Sequence, residues 1–191
     1  MRSVSGAFIS HSHGDHSKAA KDLARFGTDV YTSRGTMDAC GLHGHRFHPV
    51  KALEQISVGT FDVLPFDVEH DAPEPLGFLF ASRLSGEKLL FFTDTYYIKY
   101  RFTGLNVIAA ECNYSKRQLQ DSISSGSVPI DRVTRLMRSH MSLEHLKDML
   151  QANDLSKLRA IYLLHMSEDN GNEAQMLREI RMLTGVEVYA C

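Results

Sequence analysis

Residues 11–16 read His-Ser-His-Gly-Asp-His, and this stretch decides how the chain is interpreted. Its three imidazoles and one carboxylate lie between a short apolar run and a segment with helical periodicity. Side chains two residues apart on an extended backbone point the same way, so His11 and His13 can reach one cation. Asp15 and His16, at the turn into the helix, can reach a second cation. Such a mixed ligand set suits zinc, manganese or iron.

The overall composition excludes several classes of protein. A chain of 191 residues suits one domain, residues 1–191, and 43% hydrophobic residues is typical of globular proteins. The net charge of −2 gives no general basic excess for nucleic-acid binding. No apolar run reaches the length of a membrane helix, so we predict no membrane partner. Cys40, Cys112 and Cys191 lack short pairing spacings, which predicts free thiols and a cytoplasmic location.

Strand-like and helix-like segments alternate along the chain, which predicts an α/β layered fold. Several of the strands are apolar along their whole length, which indicates a sheet buried beneath helices. The predicted strands cover residues 7–10, 30–32, 61–66, 77–84, 88–92, 107–111, 161–164 and 186–189. The predicted helices cover residues 17–26, with Ser17 as the N-cap, then 34–40, 115–121, 130–137, 142–151 and 172–183.

Three further residues follow the first stretch in a recognisable order. His70 lies in Glu-His-Asp, Asp94 in Thr-Asp-Thr, and His165 ends a predicted strand. In these motifs the chain resembles the metallo-β-lactamase superfamily. The resemblance implies an αββα sandwich and two divalent metal ions, zinc in the first place with manganese or iron as alternatives. It assigns His11, His13 and His70 to one ion, and Asp15, His16 and His165 to the other, with Asp94 between them.

Within that superfamily the chain is most similar to the WalJ-like branch, whose members are regarded as phosphodiesterases or exonucleases acting on nucleic acid. Phosphodiesterases of this fold place an extra histidine before the last ligand, and His140 has that position. The resemblance implies that Asp15 orients a hydroxide activated by the two metal ions, while His140 protonates the departing oxygen. Asn113 and Ser167 are expected to contact the substrate. The stretches behind this resemblance are residues 70–77, 93–95, 111–114, 139–142 and 165–167, with Asp169 and Asn170.

Two other functions remain open. A small-molecule hydrolase acting on a lactone, lactam or thioester would use the same metal ions but has no comparable role for His140. The third alternative is a truncated metal-binding module without activity. Only ten residues precede His11, whereas members of the superfamily place a β-hairpin and a further strand there. Either an upstream segment is missing from the chain, or the fold is minimal, or another chain covers the exposed sheet edge. The third interpretation predicts self-association into a homo-oligomer.

A second histidine cluster comprises His43, His45 and His48. No carboxylate accompanies these three residues, and the superfamily has no ligand at this place. We therefore predict a polar hairpin rather than a metal site.

Overall fold

The computed structural model describes residues 4–167 and 171–191, which fall into two compact units, Met1–Gly86 and Glu87–Cys191. Both units contain strands and helices, so the predicted α/β class is confirmed. The expectation of a single domain stays a prediction. Asp169 and Asn170, which contributed to the resemblance, lie outside the described residues. Every helix in the described part of the chain is too short or too polar to cross a bilayer.

The first unit contains three short parallel strands and three antiparallel strands. Its elements in chain order are β1 (Ala7–Phe8), α1 (Gly14–Ser17), α2 (Ala20–Arg25), β2 (Val30–Thr32), α3 (Arg34–Cys40), β3 (Phe47–Pro49), β4 (Ile56–Val58), β5 (Phe61–Asp67) and β6 (Leu76–Ser82). The strands β1, β2 and β3 pair in that order. A small core beside them includes Ile9, Ala20, Val30, Met37 and Leu42.

The helix predicted over residues 17–26 is wrong at its start. One helical turn, α1, begins inside the histidine stretch, and α2 begins only after a further turn. Ser17 caps neither helix: its hydroxyl donates to the Ser12 carbonyl at 3.0 Å, and Ala19 holds the N-cap position of α2. The earlier start follows from His13, which has the extended backbone of an N-cap (φ −63°, ψ 147°).

The polar hairpin predicted around His43, His45 and His48 is also wrong. His48 lies in β3, which runs parallel to β2 and pairs its residue 48 with Tyr31. The two rings stack with centroids 4.9 Å apart, and His48 Nε2 is 3.3 Å from an Asp29 carboxylate oxygen. A parallel partner is reached by a crossover instead of a local turn, so the short-range pattern could not indicate it.

The antiparallel strands β5 and β6 are joined by the loop of residues 68–75, which lies beside the histidine stretch. The two strands pair along their whole length. Gly77 lies opposite Phe66, and a Cβ at position 77 would be 2.4 Å from that ring, so only glycine fits. The first residue of β6, Leu76, donates its N–H to the Ser10 carbonyl at 2.8 Å. The end of the loop is thereby bonded to the residue that precedes His11.

The second unit is built on four parallel strands. Its elements in chain order are β7 (Lys88–Phe92), β8 (Val107–Glu111), α4 (Lys116–Ser124), α5 (Ile130–Ser139), α6 (Leu143–Gln151), β9 (Ala160–Leu164), α7 (Glu173–Thr184) and β10 (Glu187–Ala190). The strands lie in the order β10-β9-β8-β7. Because all four are parallel, the carboxyl ends of β7, β8 and β9 lie along one edge.

Burial in this sheet is one-sided at β9 and β10, in contrast to the predicted burial on both faces. Ile161 and Leu163 of β9 are fully buried. Tyr162, on the opposite face, stacks on Tyr189 of β10 at 5.2 Å between ring centroids, and both rings are partly exposed. Aromatic side chains suit such a half-exposed strand surface.

Candidate metal centre

Three histidines of the first unit converge, and we name His11, His13 and His70 the imidazole cluster. Their ring centroids are 4.8 Å apart for His11 and His13, 4.7 Å for His11 and His70, and 4.9 Å for His13 and His70. One ring nitrogen of each lies within 4.8 Å of the others. The His11 residue is 1% exposed and the His70 side chain 2%. Three imidazoles this close would repel one another if protonated, whereas a shared cation is stabilised by their lone pairs.

Backbone contacts fix the segment that leads into the histidine stretch. The N–H of Ile9 donates to the Tyr31 carbonyl at 3.0 Å, and the Thr32 hydroxyl donates to the Ile9 carbonyl at 2.9 Å. These bonds fix residue 9, two positions before His11, and α1 begins at residue 14, directly after His13. The rings of His11 and His13 converge, as their two-residue spacing predicts.

Asp15 and His16 lie on α1. The Asp15 side chain is 65% exposed, and its Oδ2 is 3.3 Å from His16 Nε2. The His16 ring lies 4.3 Å from the His11 ring, centroid to centroid. Among the described residues, Asp15 is in none of the groups whose ligand atoms converge. Its ligand role stays a prediction.

A second group, in the second unit, contains two carboxylates and two imidazoles. Asp94, Glu111, His140 and His165 have ligand atoms within 4.8 Å of one another, and we name them the carboxylate–imidazole cluster. Asp94 follows β7, Glu111 ends β8 and His165 follows β9, so the parallel sheet assembles these three at one edge. His140 is the C-cap residue of α5 and comes shortly before α6. Asp94 is 2% exposed and Glu111 is fully buried.

Two residues of this cluster have a left-handed backbone. Asp94 has φ 50° and His165 has φ 52°. This region disfavours side chains other than glycine, and each such residue costs about 1–3 kcal/mol. The Asn113 side-chain amide donates to the His165 carbonyl at 2.8 Å and helps to hold that conformation. Backbone strain of this kind is characteristic of functional sites.

Glu111 organises the hydrogen bonds of the carboxylate–imidazole cluster. Its Oε1 is 2.6 Å from His140 Nδ1. Its Oε2 accepts the N–H groups of Thr95 at 2.9 Å and Met141 at 3.2 Å. An imidazole that donates from Nδ1 to a carboxylate takes up or releases its other proton at Nε2. Glu111 therefore sets both the orientation and the tautomer of His140.

The carboxylates also change the proton affinity of both imidazoles. Burial by itself lowers the pKa of His140, but its hydrogen bonds to Asp94 and Glu111 outweigh burial and raise the pKa to about 9. The pKa of His165 is raised to about 10, first by its hydrogen bond to Asp94 and then by Glu111. Asp94 Oδ1 contacts His165 Nδ1 directly and lies 3.4 Å from His140 Nδ1. A cation bound here would compete with these protons, because it needs neutral imidazole ligands.

Glu111 was not predicted as a site residue. In the sequence it appeared only within residues 111–114, as part of the resemblance. One signal could have found it: a carboxylate directly follows the apolar run of residues 107–110 and is the last residue of β8. A charged residue in such a run is rarely buried without a partner.

Asn113 and Ser167 are linked by a backbone hydrogen bond. The Ser167 N–H donates to the Asn113 carbonyl at 2.9 Å, and the Asn113 N–H donates to the Met141 carbonyl at 2.9 Å. Asn113 is 5% exposed. These bonds give Asn113 a positioning role toward His165, while the predicted substrate contacts of both residues stay predictions.

In the part of the chain that the structure describes, the second histidine cluster contributes a ligand atom to neither group. Within residues 4–167 and 171–191, no set of converging ligand atoms includes His43, His45 or His48. His43 and His45 are exposed, and His48 pairs with Asp29.

Comparison with known proteins agrees with this architecture. Residues 1–166 match the family described as beta-lactamase superfamily domain. Exodeoxyribonuclease YycJ of Bacillus anthracis is 29% identical over 182 residues, which are 89% of this chain and 67% of that protein. The crystal structure of the metallo-beta-lactamase fold protein YhfI from Bacillus subtilis has a TM-score of 0.69 at 15% identity, covering 98% of this chain and 75% of that chain. Unliganded yeast PDE1 has a TM-score of 0.67 at 16% identity, covering 98% of this chain and 66% of that chain. The chain therefore belongs to the β-lactamase superfamily, has the metallo-β-lactamase fold and is a metal-dependent hydrolase.

Proposed function

We propose that this hydrolase is a phosphodiesterase or nuclease acting on nucleic acid. The observation that carries the proposal is the buried contact between Glu111 and His140, 2.6 Å between Oε1 and Nδ1. A departing alkoxide of a phosphodiester needs a proton, and an oriented imidazole with a raised pKa can supply one. The similarity to exodeoxyribonuclease YycJ supports the same reaction class.

Each of the two clusters suits a divalent cation. The imidazole cluster offers three nitrogen ligands, His11, His13 and His70. In the carboxylate–imidazole cluster, Asp94 and His165 supply an oxygen and a nitrogen. His16 and Asp15 complete the set of ligands that we propose for the ion bound by Asp94 and His165. This donor chemistry suits zinc in the first place, and also manganese or iron. Bound divalent ions supply an activated water nucleophile and neutralise charge on the phosphoryl oxygens.

The protein's own residues then have separate roles. Glu111 holds His140 in one tautomer, and His140 gives its proton to the departing oxygen. The exposed Asp15 carboxylate orients the attacking water. Asn113 fixes the backbone of His165 through its amide.

Metal analysis together with substrate assays tests the proposal. Protein purified without a chelating tag should contain divalent metal and hydrolyse bis(4-nitrophenyl) phosphate and an oligonucleotide, but not nitrocefin or thioesters. Activity on a lactone, lactam or thioester alone would show a small-molecule hydrolase instead. Full metal occupancy with no hydrolysis of any of these compounds would indicate a metal-binding module.

Replacing Glu111 with glutamine is expected to lower kcat about 10–100-fold with little change in KM. Three donors, from His140, Thr95 and Met141, meet the two carboxylate oxygens. Glutamine has only one oxygen, so its NH₂ group must face a donor. Loss of the carboxylate also lowers the pKa of His140, so activity should decline at a lower pH than in the wild type. A pH profile of kcat measures this shift.

The exposed Glu187, on β10, provides the matched control. Glu187→Gln should leave kcat and its pH profile unchanged. A Glu111→Gln enzyme with wild-type kcat and an unshifted profile would contradict the positioning role.

Self-association through the edge of β1 is part of the proposal. The N–H groups of Ala7 and Ile9 bond to residues 29 and 31 of the chain, so the N–H of Phe8 faces the other side of the strand. Among the described residues, β2 is the one strand that pairs with β1 in its sheet. We expect light scattering at micromolar concentration to give at least twice the mass of one chain. A stable monomer would refute this expectation.

We also place the enzyme in the cytoplasm. Cys40, Cys112 and Cys191 are free thiols. Free thiols persist in a reducing compartment.

A further inference from the structure

An aromatic–basic segment follows the carboxylate–imidazole cluster along the chain. Residues 96–102 read Tyr-Tyr-Ile-Lys-Tyr-Arg-Phe and connect β7 to β8 without regular secondary structure. Ile98 and Phe102 are buried, at 6% and 7% exposure, and they anchor the segment. The side chains that alternate with them are exposed: Tyr97, Lys99 and Arg101.

Hydrogen bonds hold this segment in place. The Phe102 N–H donates to the Asn153 side-chain carbonyl at 2.6 Å. The Thr95 hydroxyl donates to the Tyr97 carbonyl at 3.0 Å. His145 Nδ1, on α6, lies 3.1 Å from the Tyr96 carbonyl oxygen. A segment fixed at both ends presents its outward side chains in a defined arrangement, which lowers the entropy lost on binding.

A cleft of about 350 Å³ lies between the aromatic–basic segment and α6. Met141 lines it and directly follows His140 in the chain. On the opposite wall, the Tyr97 carbonyl accepts the hydroxyl of Thr95, whose N–H donates to Glu111 of the carboxylate–imidazole cluster. Its walls are formed by Tyr97, Lys99, Tyr100 and Arg101 on one side, and by His145 and Asp148 on the other.

The charge and the aromatic rings of the cleft favour a polyanion that carries flat groups. Residues 95–110 contain two cations, Lys99 and Arg101, and no acidic residue. Lys99 Nζ lies 5.2 Å from the centre of the Tyr100 ring. Lys116 lies outside the lining of the cleft, with its Nζ 3.2 Å from Nε2 of the wall residue His145. The walls contain one carboxylate, that of Asp148.

The geometry points to this cleft as the binding path for a single strand of nucleic acid next to the scissile phosphodiester. Its bases stack on Tyr97 and Tyr100, while its phosphates contact Lys99 and Arg101. Interleaved aromatic and basic side chains bind single strands in this way, whereas the bases of a duplex are already stacked inside the helix. The inference rests on the proposed function and deepens it, since it names single-stranded nucleic acid as the substrate class.

Binding of a fluorescent oligothymidine with phosphorothioate linkages, which resist hydrolysis, tests the stacking surface by anisotropy. Tyr97→Ala should weaken binding about tenfold, in the range of a lost base–aromatic stack. Tyr97→Phe keeps the ring and should bind as the wild type does. Wild-type affinity in the Tyr97→Ala protein would overturn the inference. So would a duplex of matched length that binds equally tightly and is weakened equally by the substitution.

The salt dependence of the same binding tests the cations. A double variant, Lys99→Ala with Arg101→Ala, should show a shallower plot of the log association constant against log salt concentration. The magnitude of the slope should fall by about 1.4, because each phosphate contact on a single strand contributes about 0.7. The controls are Tyr189→Ala and Lys157→Ala, which replace an exposed tyrosine and an exposed lysine elsewhere in the second unit. These controls should match the wild type, and an unchanged slope in the Lys99 and Arg101 variant would overturn the inference.

Hydrolysis of bis(4-nitrophenyl) phosphate separates failure of this inference from failure of the proposed function. That compound is too small to extend along the cleft, so the wild-type protein and the Tyr189→Ala and Lys157→Ala controls should hydrolyse it at the same rate. If phosphodiesters are cleaved but every variant binds the oligonucleotide normally, the cleft inference fails alone. If the protein cleaves no phosphodiester yet binds single strands through Tyr97, the proposed function fails alone.

Discussion

Asp94→Ala should reduce phosphodiester hydrolysis at least about 10³-fold, beyond the loss typical of one hydrogen-bond donor at a reacting centre. Asp94 is 2% exposed, and its Oδ1 contacts His165 Nδ1 and lies 3.4 Å from His140 Nδ1. Without it, His165 loses the nearer of its two carboxylate neighbours, and the carboxylate–imidazole cluster loses a charged ligand. Metal content per chain, measured by elemental analysis, should fall in parallel with kcat.

Asp94→Asn separates ligand loss from backbone strain. The backbone at this position is left-handed, with φ 50°, and asparagine tolerates that region better than alanine. The asparagine variant should therefore be more stable than the alanine variant but equally inactive. Asp38→Ala, at an exposed position on α3, is the control and should keep full activity. Near wild-type turnover by Asp94→Asn would refute the proposed ligand role.

His140→Ala is expected to lower kcat about 10²–10⁴-fold on an oligonucleotide, the usual contribution of a general acid. Its metal content should equal that of the wild type, because Asp94 and His165 remain as ligands. The loss should be much smaller on bis(4-nitrophenyl) phosphate, since nitrophenolate departs without a proton. This leaving-group dependence distinguishes proton donation from a purely structural role.

Two controls accompany this variant. His43→Ala removes an exposed histidine from the first unit and should not change kcat. Thermal unfolding of the His140→Ala protein shows whether the loss of the imidazole beside the buried Glu111 disturbs the fold. A fall in metal content in a folded His140→Ala protein would mean that His140 is a ligand and not the proton donor.

Much of the architecture was predictable because it depends on short-range patterns. The spacing of His11 and His13 specifies that both point the same way once the chain is extended. The predicted strands ending at residues 92, 111 and 164 agree at their carboxyl ends with three strands of the parallel sheet. The order of the motifs was sufficient to predict the superfamily, which the comparisons confirm.

Other features depended on contacts that no local pattern contains. The helix predicted over residues 17–26 was wrong at its start, because Ser17 bonds to Ser12 instead of capping a helix, while α2 lies within the predicted range. The predicted hairpin failed because residues 47–49 pair in parallel with β2. In both cases a long-range or backward contact replaced the local partner that the sequence suggested.

The sequence by itself determined the superfamily, the strand-to-helix setting of residues 11–16 and the identity of the chemically capable side chains, because these depend on neighbours a few positions apart. Only the tertiary structure decided that Glu111 contacts His140. That hydrogen bond requires β8 to lie parallel to its neighbours and α5 to end beside the carboxyl end of β8. It also decided which side chains of residues 96–102 face outward, because burial of Ile98 and Phe102 depends on residues distant in the chain. Hydrogen bonding between distant segments, and the burial it enforces, cannot be inferred from spacing alone.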